Sequence, residues 1–485
     1  MPPRTRQGLT ILGAALALGL MADLLAHLVP ARLDLALGLG ALVLALAALA
    51  QGGLVSLPAS LASLGAPLAL LGVALIWRDS RTLFALNLVG VLTVAALASP
   101  RLRAVGRRRA GLGDYAVGAA ELAGASAAGA ASLVFTDIEW ATLPVDGRAR
   151  QARGTAVGLA AAVPVTLVFG GLLMQADPVF DRLVTRTFDI ELAPILSHLS
   201  LVLLWGWLAA GVLRAFCRPD GNAPVAARGA RFGLGEVGTV LVIVDGLFLA
   251  FVAVQLRYLF GGSELVRGLT GMSYAEYARR GFFELVTVAA LSLPLLLLAD
   301  WSLDQRDPAR VRRFRWLAIL MLLLLDVMLA SALLRMRLYT AEYGLTELRF
   351  YTTAFMGWLV LVFGWFAATV LRGRRERFGT GALVAGWLVL AALNLANPDA
   401  VIAGVNLARA ADGRPLDVAY AAQLSADALP TFRRVLPTLR SNEACETAWR
   451  LDHRWQRELR TRDRWTIALA RAPRGRLACG ARQGG

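Results

Sequence analysis

Charged residues are scarce in this sequence of 485 residues, and lysine is absent altogether. Only 17% of the residues are charged and 57% are apolar, which excludes an ordinary soluble globular protein of this length. All fifty basic residues are arginines. Because alanine and glycine are also frequent, this exclusive use of arginine indicates a GC-rich codon bias rather than a chemical requirement for arginine. The net charge of +16 would suggest a nucleic-acid partner in a soluble protein. We expect none here, because no basic stretch is interleaved with stacking aromatic residues.

Cysteine and histidine are also rare, with three residues of each. Cys445 and Cys479 lie in the C-terminal tail, where a disulfide between them is one option in an oxidising compartment. The histidines His27, His198 and His453 lie far apart in separate segments, so we expect no metal site and no cofactor. The sequence also lacks the common hydrolase, zinc-protease, P-loop and dinucleotide motifs, so we assign no catalytic residue.

The apolar residues form runs of about twenty, the length of a helix that crosses about 30 Å of hydrocarbon. Lipid offers no hydrogen-bond partners to backbone N–H and C=O groups. A segment that crosses it singly must therefore be a helix, which satisfies these groups internally. We therefore predict an all-α polytopic bundle of about eleven spans, followed by a small helical domain. The spans are residues 9–29, 35–51, 54–77, 82–98, 155–175, 195–213, 235–256, 282–299, 316–334, 350–371 and 380–396.

The distribution of arginine predicts the orientation of the chain in a bacterial inner membrane. With the N terminus in the cytoplasm, the inside segments carry more arginines than the outside loops, as the positive-inside rule requires. Residues 110–134 are interpreted as a packed or interfacial cytoplasmic helix, because a crossing there would invert every later loop. We divide the chain into an N-terminal membrane region with a basic segment (1–153), a membrane core of about seven spans (154–396) and an extracytoplasmic tail (397–485).

Acidic residues within the predicted spans are the candidate functional residues of the membrane region. Asp245 and Asp326 lie near the midpoints of spans seven and nine, and Asp23 precedes His27 by one turn in span one. An aspartate at the bilayer centre costs about 2.5–3.5 kcal/mol, so it must face other helices, a wet cavity or a partner. These residues indicate either a proton or cation path or interhelical hydrogen bonds. Our leading hypothesis is movement of a small solute or proton along Asp245 and Asp326.

Polar motifs at the predicted outer border suggest an alternative function. These side chains either anchor the helices and close the loops, or crowd around one outer vestibule. The alternative is therefore a membrane scaffold or sensor that binds an envelope protein, or a second copy of the chain, through these loops and the tail. The border candidates are Asp177, Glu276, Arg280, Glu284, Arg335, Arg337 and Glu342.

Several signals predict how the tail folds. Asn397 is a plausible N-cap ahead of Pro398 at the first helical position, and Ser425 is expected to cap a second short helix. A longer helix after residue 441 presents an apolar stripe that we expect to pack on the other tail helices or on the membrane rim. The stripe consists of Ala444, Ala448, Leu451, Trp455 and Leu459.

Five stretches carry a resemblance to a known family: "LLMQADPVFDRL" (172–183), "MSYAEYARRGFFELV" (272–286), "RLYTAEYGLTELRFYTTAFMGWL" (337–359), "NPDAVIAGVNLAR" and "LDVAYAAQLSADALP". With them the chain resembles a bacterial family of integral membrane proteins catalogued as domain of unknown function 4173, which is close to family 4153. The resemblance runs from about residue 155 to about residue 460. It implies a polytopic helical membrane protein and no particular activity.

Overall fold

The computed structural model describes residues 2–51, 59–99, 102, 110, 112–140, 192–217, 238–253, 282–303, 307–439, 442–458, 465–472 and 476–477. Within these ranges the chain is helical and contains no β-strand. The predicted span at 155–175 lies outside the described residues, so it stays a prediction.

The membrane region of the described chain consists of apolar helices. The helix that ends at Ser132 continues into a π-helical turn, Leu133–Asp137. The helices are α1 (Pro3–Leu28), α2 (Ala31–Gln51), α3 (Ala59–Trp77), α4 (Arg81–Leu97), α5 (Leu112–Ser132), α6 (Leu192–Cys217), α7 (Gly238–Ala253), α8 (Phe282–Ser302), α9 (Pro308–Tyr343), α10 (Glu347–Thr369) and α11 (Phe378–Ala396).

Seven of these helices are long and apolar enough to cross a membrane: α1, α2, α5 with its π turn, α6, α9, α10 and α11. Helices α3, α4, α7 and α8 contribute shorter apolar stretches. The part of the chain that the structure describes is thus all-helical and has the character of a membrane protein. The predicted total of about eleven spans stays a prediction.

Neighbouring helices in the sequence pack side by side in two groups. Helices α1 to α4 form one group and α8 to α11 the other, and contacts between α4 and α11 join them. The largest hydrophobic cluster lies among α7, α8, α9, α10 and α11. Helix α9 has 36 residues and is therefore about 54 Å long, so it extends beyond the hydrocarbon thickness at one end or both.

Local capping signals set the helix ends around α9, α10 and the tail. Gly344 ends α9 with φ +80°, a left-handed conformation that glycine adopts without a steric penalty. The Thr346 hydroxyl accepts from the Arg349 N–H at the start of α10, and the Asn397 side chain accepts from the Ala400 N–H in the first helix of the tail. The predicted cap at Asn397 is confirmed, and all three helix ends depend only on residues close in sequence.

The two ends of the bundle differ in charge. The connections after α3, α9 and α11 meet the tail at one end, which we call the tail end. Arginines concentrate at the opposite end, before and within the first turns of α9 and after α10, and Arg375 pairs there with Asp300, N to O 2.9 Å. We call this the basic end. The predicted orientation places it in the cytoplasm.

Helix α5 contacts the basic end through both of its ends. The Tyr115 hydroxyl lies 2.9 Å from the Thr380 hydroxyl at the start of α11. Asp137, at the end of the π turn, pairs with Arg214 near the end of α6, N to O 2.6 Å. Both partners lie at the basic end, so these contacts hold the helix across that end. Whether residues 110–134 cross a bilayer stays a prediction.

The tail folds into short helices with a hydrophobic cluster of its own. Its helices are α12 (Pro398–Ala411), α13 (Val418–Ala421), α14 (Leu429–Val435), α15 (Asn442–Glu458) and α16 (Ile467–Ala470). The predicted stripe of α15 is buried in this cluster from Ala444 to Trp455, while Leu459 lies outside the described residues. One tail prediction was wrong: Ser425 precedes a 3-10 turn but makes no side-chain cap, because its hydroxyl bonds to Asp427 instead.

Helices α1 and α6 approach each other closely because glycines face each other across their contact. A Cβ atom at Gly19 would lie 2.5 Å from the Val202 carbonyl oxygen and 3.0 Å from the Gly206 Cα. Small residues at such a contact are the usual way in which membrane helices bring their backbones together. This contact therefore depends on the absence of a side chain at position 19.

Replacing Gly19 by alanine should lower the thermal stability of the purified protein in detergent. The added methyl group collides with backbone atoms that cannot rotate away, and overpacking of this kind costs about 1–3 kcal/mol. Gly13→Ala is the matched control, because Gly13 is exposed on the same helix and its Cβ would meet nothing within 4 Å. Thermal unfolding measurements that give the same midpoint for both variants would contradict the close contact.

Candidate functional site

The connection between α3 and α4 and a turn of the tail exchange hydrogen bonds. The Asp427 carboxylate accepts from the backbone N–H groups of Asp79, at 2.6 Å, and Ser80, at 3.3 Å. In return, the Asp79 carboxylate accepts from the Ala426 N–H at 3.2 Å. Both carboxylates are buried, and each satisfies backbone donors of the other segment. We call this contact, between residues 78–80 and 425–427, the tail junction.

Arg78 links the tail junction to the last turn of α11. Its guanidinium pairs with Asp427, N to O 3.4 Å, and donates to the carbonyl oxygens of Asn394 at 2.9 Å and Leu395 at 3.5 Å. The final carbonyls of a helix carry partial negative charge, so a cation is favourable there. Arg32, in α2, donates to the Arg78 carbonyl at 3.0 Å. Helices α2, α4 and α11 and the tail therefore meet around the Asp427 carboxylate.

Two further carboxyl groups lie beside the tail junction. Asp399, in the first turn of α12, is fully buried and accepts from the Ser425 N–H at 3.1 Å. Burial, and then the neighbouring Glu347 carboxylate, raises the pKa of Asp399 to about 6. Burial also raises the pKa of Asp427. The negative charge of Glu347 thus adds to the effect of burial and disfavours ionisation of Asp399.

Glu347 connects the bundle with the tail. The Thr82 hydroxyl donates to the Glu347 carboxylate at 3.2 Å, and the Tyr420 oxygen accepts from the Glu347 N–H at 2.6 Å. Burial raises the pKa of Tyr420 to about 12, so its phenol stays neutral at physiological pH. Thr82 belongs to α4 and Tyr420 to α13, so residue 347 contacts both parts of the molecule.

Two adjoining cavities form a groove over the tail junction, which we call the junction groove. The inner cavity, of about 390 Å³, is lined by Asp79 and Glu347 among others. The outer cavity, of about 490 Å³, is lined on one side by Trp449 and Arg450 of α15. The residues that line both cavities are Ala422, Gln423 and Arg454.

A second contact between tail and bundle surrounds the end of α9. The Asn406 side chain accepts from the Leu345 N–H at 2.7 Å and donates to the Leu345 carbonyl at 2.8 Å. Arg414 donates to the Ala341 carbonyl at 2.9 Å and pairs with Glu342, N to O 3.2 Å. Glu342, a predicted border residue, is thus part of the tail contact. Its ion pair is exposed and adds at most about 1 kcal/mol.

The other border candidates are only partly described. Arg335 is half-buried and Arg337 is exposed on the last turns of α9. The predicted vestibule built from all of these residues stays a prediction. The side chains that lie outside the described residues are those of Asp177, Glu276, Arg280 and Glu284.

The two midspan aspartates occupy helix faces of opposite character. Asp245 is 3% exposed on the face of α7 that packs into the main cluster, and neither of its carboxylate oxygens has a hydrogen-bond partner among the described residues. Asp326 is exposed, on the side of α9 away from its buried residues. A cavity of about 670 Å³ between α7 and α9 extends only to Ile243 and Leu317 and is lined by neither aspartate. This cavity therefore gives no support to the path along both residues, which stays a prediction.

Polar side chains elsewhere in the bundle form hydrogen bonds between helices. Asn87 of α4 and Asn394 of α11 are buried and donate to each other through their amide groups, at 3.1 and 2.9 Å. Asn87 also donates to the Ala74 carbonyl at 3.1 Å. This pair illustrates one of the two explanations considered for intramembrane polar residues, and it joins the two helix groups.

The structure corrects the expectation that the histidines are isolated. His27 of α1 and His198 of α6 are stacked, with ring centroids 3.9 Å apart. Their Nδ1 atoms lie 3.3 and 2.9 Å from the Asp23 carboxylate. The separation of 175 positions between Asp23 and His198 concealed this cluster, because helix packing alone brings the two segments together.

Only one of the two cysteines of the predicted disulfide lies within the described residues. Cys445 is disulfide-bonded. Cys479 lies outside the described residues, so its pairing with Cys445 stays a prediction.

The residues of the tail junction, and Asp399 and Glu347 beside it, were not predicted from the sequence. One signal was present: Arg78 and Asp79 stand in a three-residue connection between two apolar helices, where buried charges need partners. The partner residues Asp399 and Asp427 gave no comparable signal, because they resemble ordinary helix-start acids.

A family model described as Domain of unknown function (DUF4153) matches residues 65–435. The match includes both sides of the tail junction, from Arg78 to Asp427. The match begins at residue 65, within α3, whereas the resemblance was expected to start near residue 155. It therefore also includes the part of the N-terminal membrane region that follows residue 65. The resemblance to the related family 4173 stays a prediction. No curated protein and no solved structure matches the chain.

The buried Asp399 carboxyl predicts a specific pH dependence of stability. Its folded-state pKa of about 6 lies above the ordinary value of 3.8, so the native state binds this proton more tightly than the unfolded state does. Its contribution to stability is therefore complete below about pH 4 and is lost as the pH rises through 6. Asp399→Asn, which mimics the protonated acid, should lack this component in thermal unfolding measured between pH 4 and 8.

Asp412→Asn provides the control for this prediction. Asp412 follows the same helix α12 but is exposed, so the substitution should keep the wild-type pH profile. A difference between wild type and Asp399→Asn that does not change with pH would contradict the assigned role of the Asp399 proton.

Proposed function

We propose that this chain, which belongs to the family described as Domain of unknown function (DUF4153), is a membrane scaffold or sensor that binds an envelope partner in the junction groove. The observation that carries the proposal is the continuity of the groove. It leads from exposed residues of the tail to buried acids at the end of the bundle. A ligand seated there would contact both parts of the molecule at once.

The mouth of the groove has the chemistry of a protein-binding surface. Trp449 is 63% exposed although it is among the largest apolar side chains, and Arg450 lies beside it on α15. Tryptophan and arginine are the residue types that contribute most to protein interfaces, because they combine a large contact area with directed hydrogen bonds. An exposed pair of this kind favours a protein segment as the partner.

The acids of the inner cavity offer binding partners to a cationic group on that partner. Asp79 and Glu347 line the cavity together with Arg81 and Arg454, and the Asp399 carboxyl neighbours Glu347. A lysine or arginine side chain, or an amino terminus, would form charge-assisted hydrogen bonds with the Glu347 carboxylate. The partner segment is therefore expected to carry a basic group that enters the inner cavity.

The tail junction supports this role because it holds the groove in shape before any partner binds. The reciprocal hydrogen bonds of Asp79 and Asp427 fix one wall of the inner cavity, and Arg454 fixes another by donating to the carbonyls of Ala422, at 2.7 Å, and Leu424, at 3.0 Å. Preorganised sites lose less conformational entropy on binding. A binding role thus accounts for the dense hydrogen bonding at this end.

Photo-crosslinking in intact membranes tests the binding role. A benzoyl-phenylalanine placed at Trp449 or Gln423 of the full-length chain should give one and the same protein adduct. The same residue placed at Arg433, which is exposed on α14 outside the groove, should not give it. Arg450→Glu should reduce the adduct at position 423 several-fold. Equal adducts at all three positions, or none, would refute a specific site in the groove.

A second candidate function is proton-linked transport, and the buried state of Asp245 favours it. A carboxyl group within a helix bundle, without a hydrogen-bond partner among the described residues, is the kind of side chain that takes up and releases a proton in membrane carriers. Asp326 is not given this role, because it is exposed on α9. We retain the hypothesis for Asp245 alone.

Proteoliposomes containing a pH-sensitive dye distinguish this candidate. If Asp245 carries protons, Asp245→Asn should abolish proton uptake driven by a membrane potential, while Asp326→Asn should keep it. Both variants should first elute as the wild type does in detergent, which confirms that they fold. Proton uptake that persists in Asp245→Asn, or no uptake by the wild type, would exclude this role for Asp245.

A further inference from the structure

We propose that Asp23, His27 and His198 form a binding site for a divalent first-row transition metal ion, with Zn²⁺ as the representative. Each residue offers one ligand atom, and these atoms all lie within 4.8 Å of one another. Two imidazole nitrogens and a carboxylate oxygen form a common protein ligand set for such ions. The site is separate from the junction groove, and the inference does not depend on the proposed function.

The distances fit a small ion after minor adjustment. Zinc binds nitrogen and oxygen ligands at about 2.0–2.1 Å, so ligands of a tetrahedral site are about 3.3 Å apart. His27 Nδ1 lies 3.3 Å from one Asp23 oxygen, and His198 Nδ1 lies 2.9 Å from the other. His27 Nδ1 also lies 2.8 Å from the Asp23 backbone carbonyl. Binding of the ion would replace that hydrogen bond.

Helix geometry and helix packing both contribute to the cluster. Asp23 and His27 are four residues apart on α1, so they share one face of the helix. His198 reaches them from α6 because the glycine contact at Gly19 and Gly206 brings the two helices together one to two turns away. The three side chains therefore lie close together before any ion binds.

The cluster is accessible, and this decides what kind of site it can be. The side chains of His27 and His198 are 37% and 50% exposed, while that of Asp23 is 15% exposed. An ion held by three protein ligands at such a place keeps one position for water. It would also join α1 to α6, so metal binding should stabilise the contact between these helices.

Metal binding by the full-length protein tests the proposal directly. The protein is purified in detergent with a tag that lacks histidine, stripped with a chelator and dialysed against Zn²⁺, and bound zinc is measured by mass spectrometry. We expect one Zn²⁺ per chain, a higher unfolding temperature with zinc, and at least tenfold weaker binding in His27→Ala and in His198→Ala. His453→Ala, which removes the remaining histidine on α15, should bind as the wild type does.

Two milder substitutions keep the test decisive if an alanine variant does not fold. Asp23→Asn should weaken binding while preserving the shape of the side chain. His198→Cys, loaded with Co²⁺, should show a thiolate-to-cobalt charge-transfer band that the wild type lacks, because the sulfur then coordinates the ion directly. Absence of zinc binding in the wild type, or binding that is unchanged in all of these variants, would overturn the proposal.

Discussion

The exchange of hydrogen bonds between Asp79 and Asp427 holds the tail on the bundle. Both carboxylates are buried and 348 positions apart, and each accepts a backbone N–H of the other segment. Removal of one partner would leave buried donors and a buried charge without compensation, which is far more costly than the net contribution of the intact pair. Together with the contacts of Asn406 and Arg414 at the end of α9, this exchange sets the position of the tail, and it fixes one wall of the junction groove.

Polar groups in the bundle follow the same constraint with different outcomes. Asn87 and Asn394 satisfy each other inside the helix bundle, so their burial joins α4 to α11. Asp245 is buried without such a partner among the described residues, whereas Asp326 is exposed on α9, where it lacks the shelter that a mid-span aspartate requires. Asp245 and Asp326 both lie near the midpoints of their predicted spans, yet their environments differ. The position of a residue along a helix does not specify which face of the helix it occupies.

Both binding sites inferred here lie where segments distant in sequence meet. The junction groove lies between the tail and the ends of α4 and α10, and the histidine cluster lies between α1 and α6. In each case a close contact between the two segments positions the residues of the site. Reciprocal carboxylates form this contact at the junction groove, and facing glycines form it beside the histidine cluster. The fold thus positions chemically useful side chains as a consequence of how it satisfies buried backbone groups and packs small residues.

The sequence by itself determined the helical membrane character and many helix ends. Apolar length and capping residues such as Gly344, Thr346 and Asn397 act within a few positions, so they can be recognised without a fold. Only the tertiary structure decided that Asp427 faces Asp79 and that His198 reaches Asp23. Such pairs depend on which helix faces meet, and neither periodicity nor composition encodes the rotation of one helix against another.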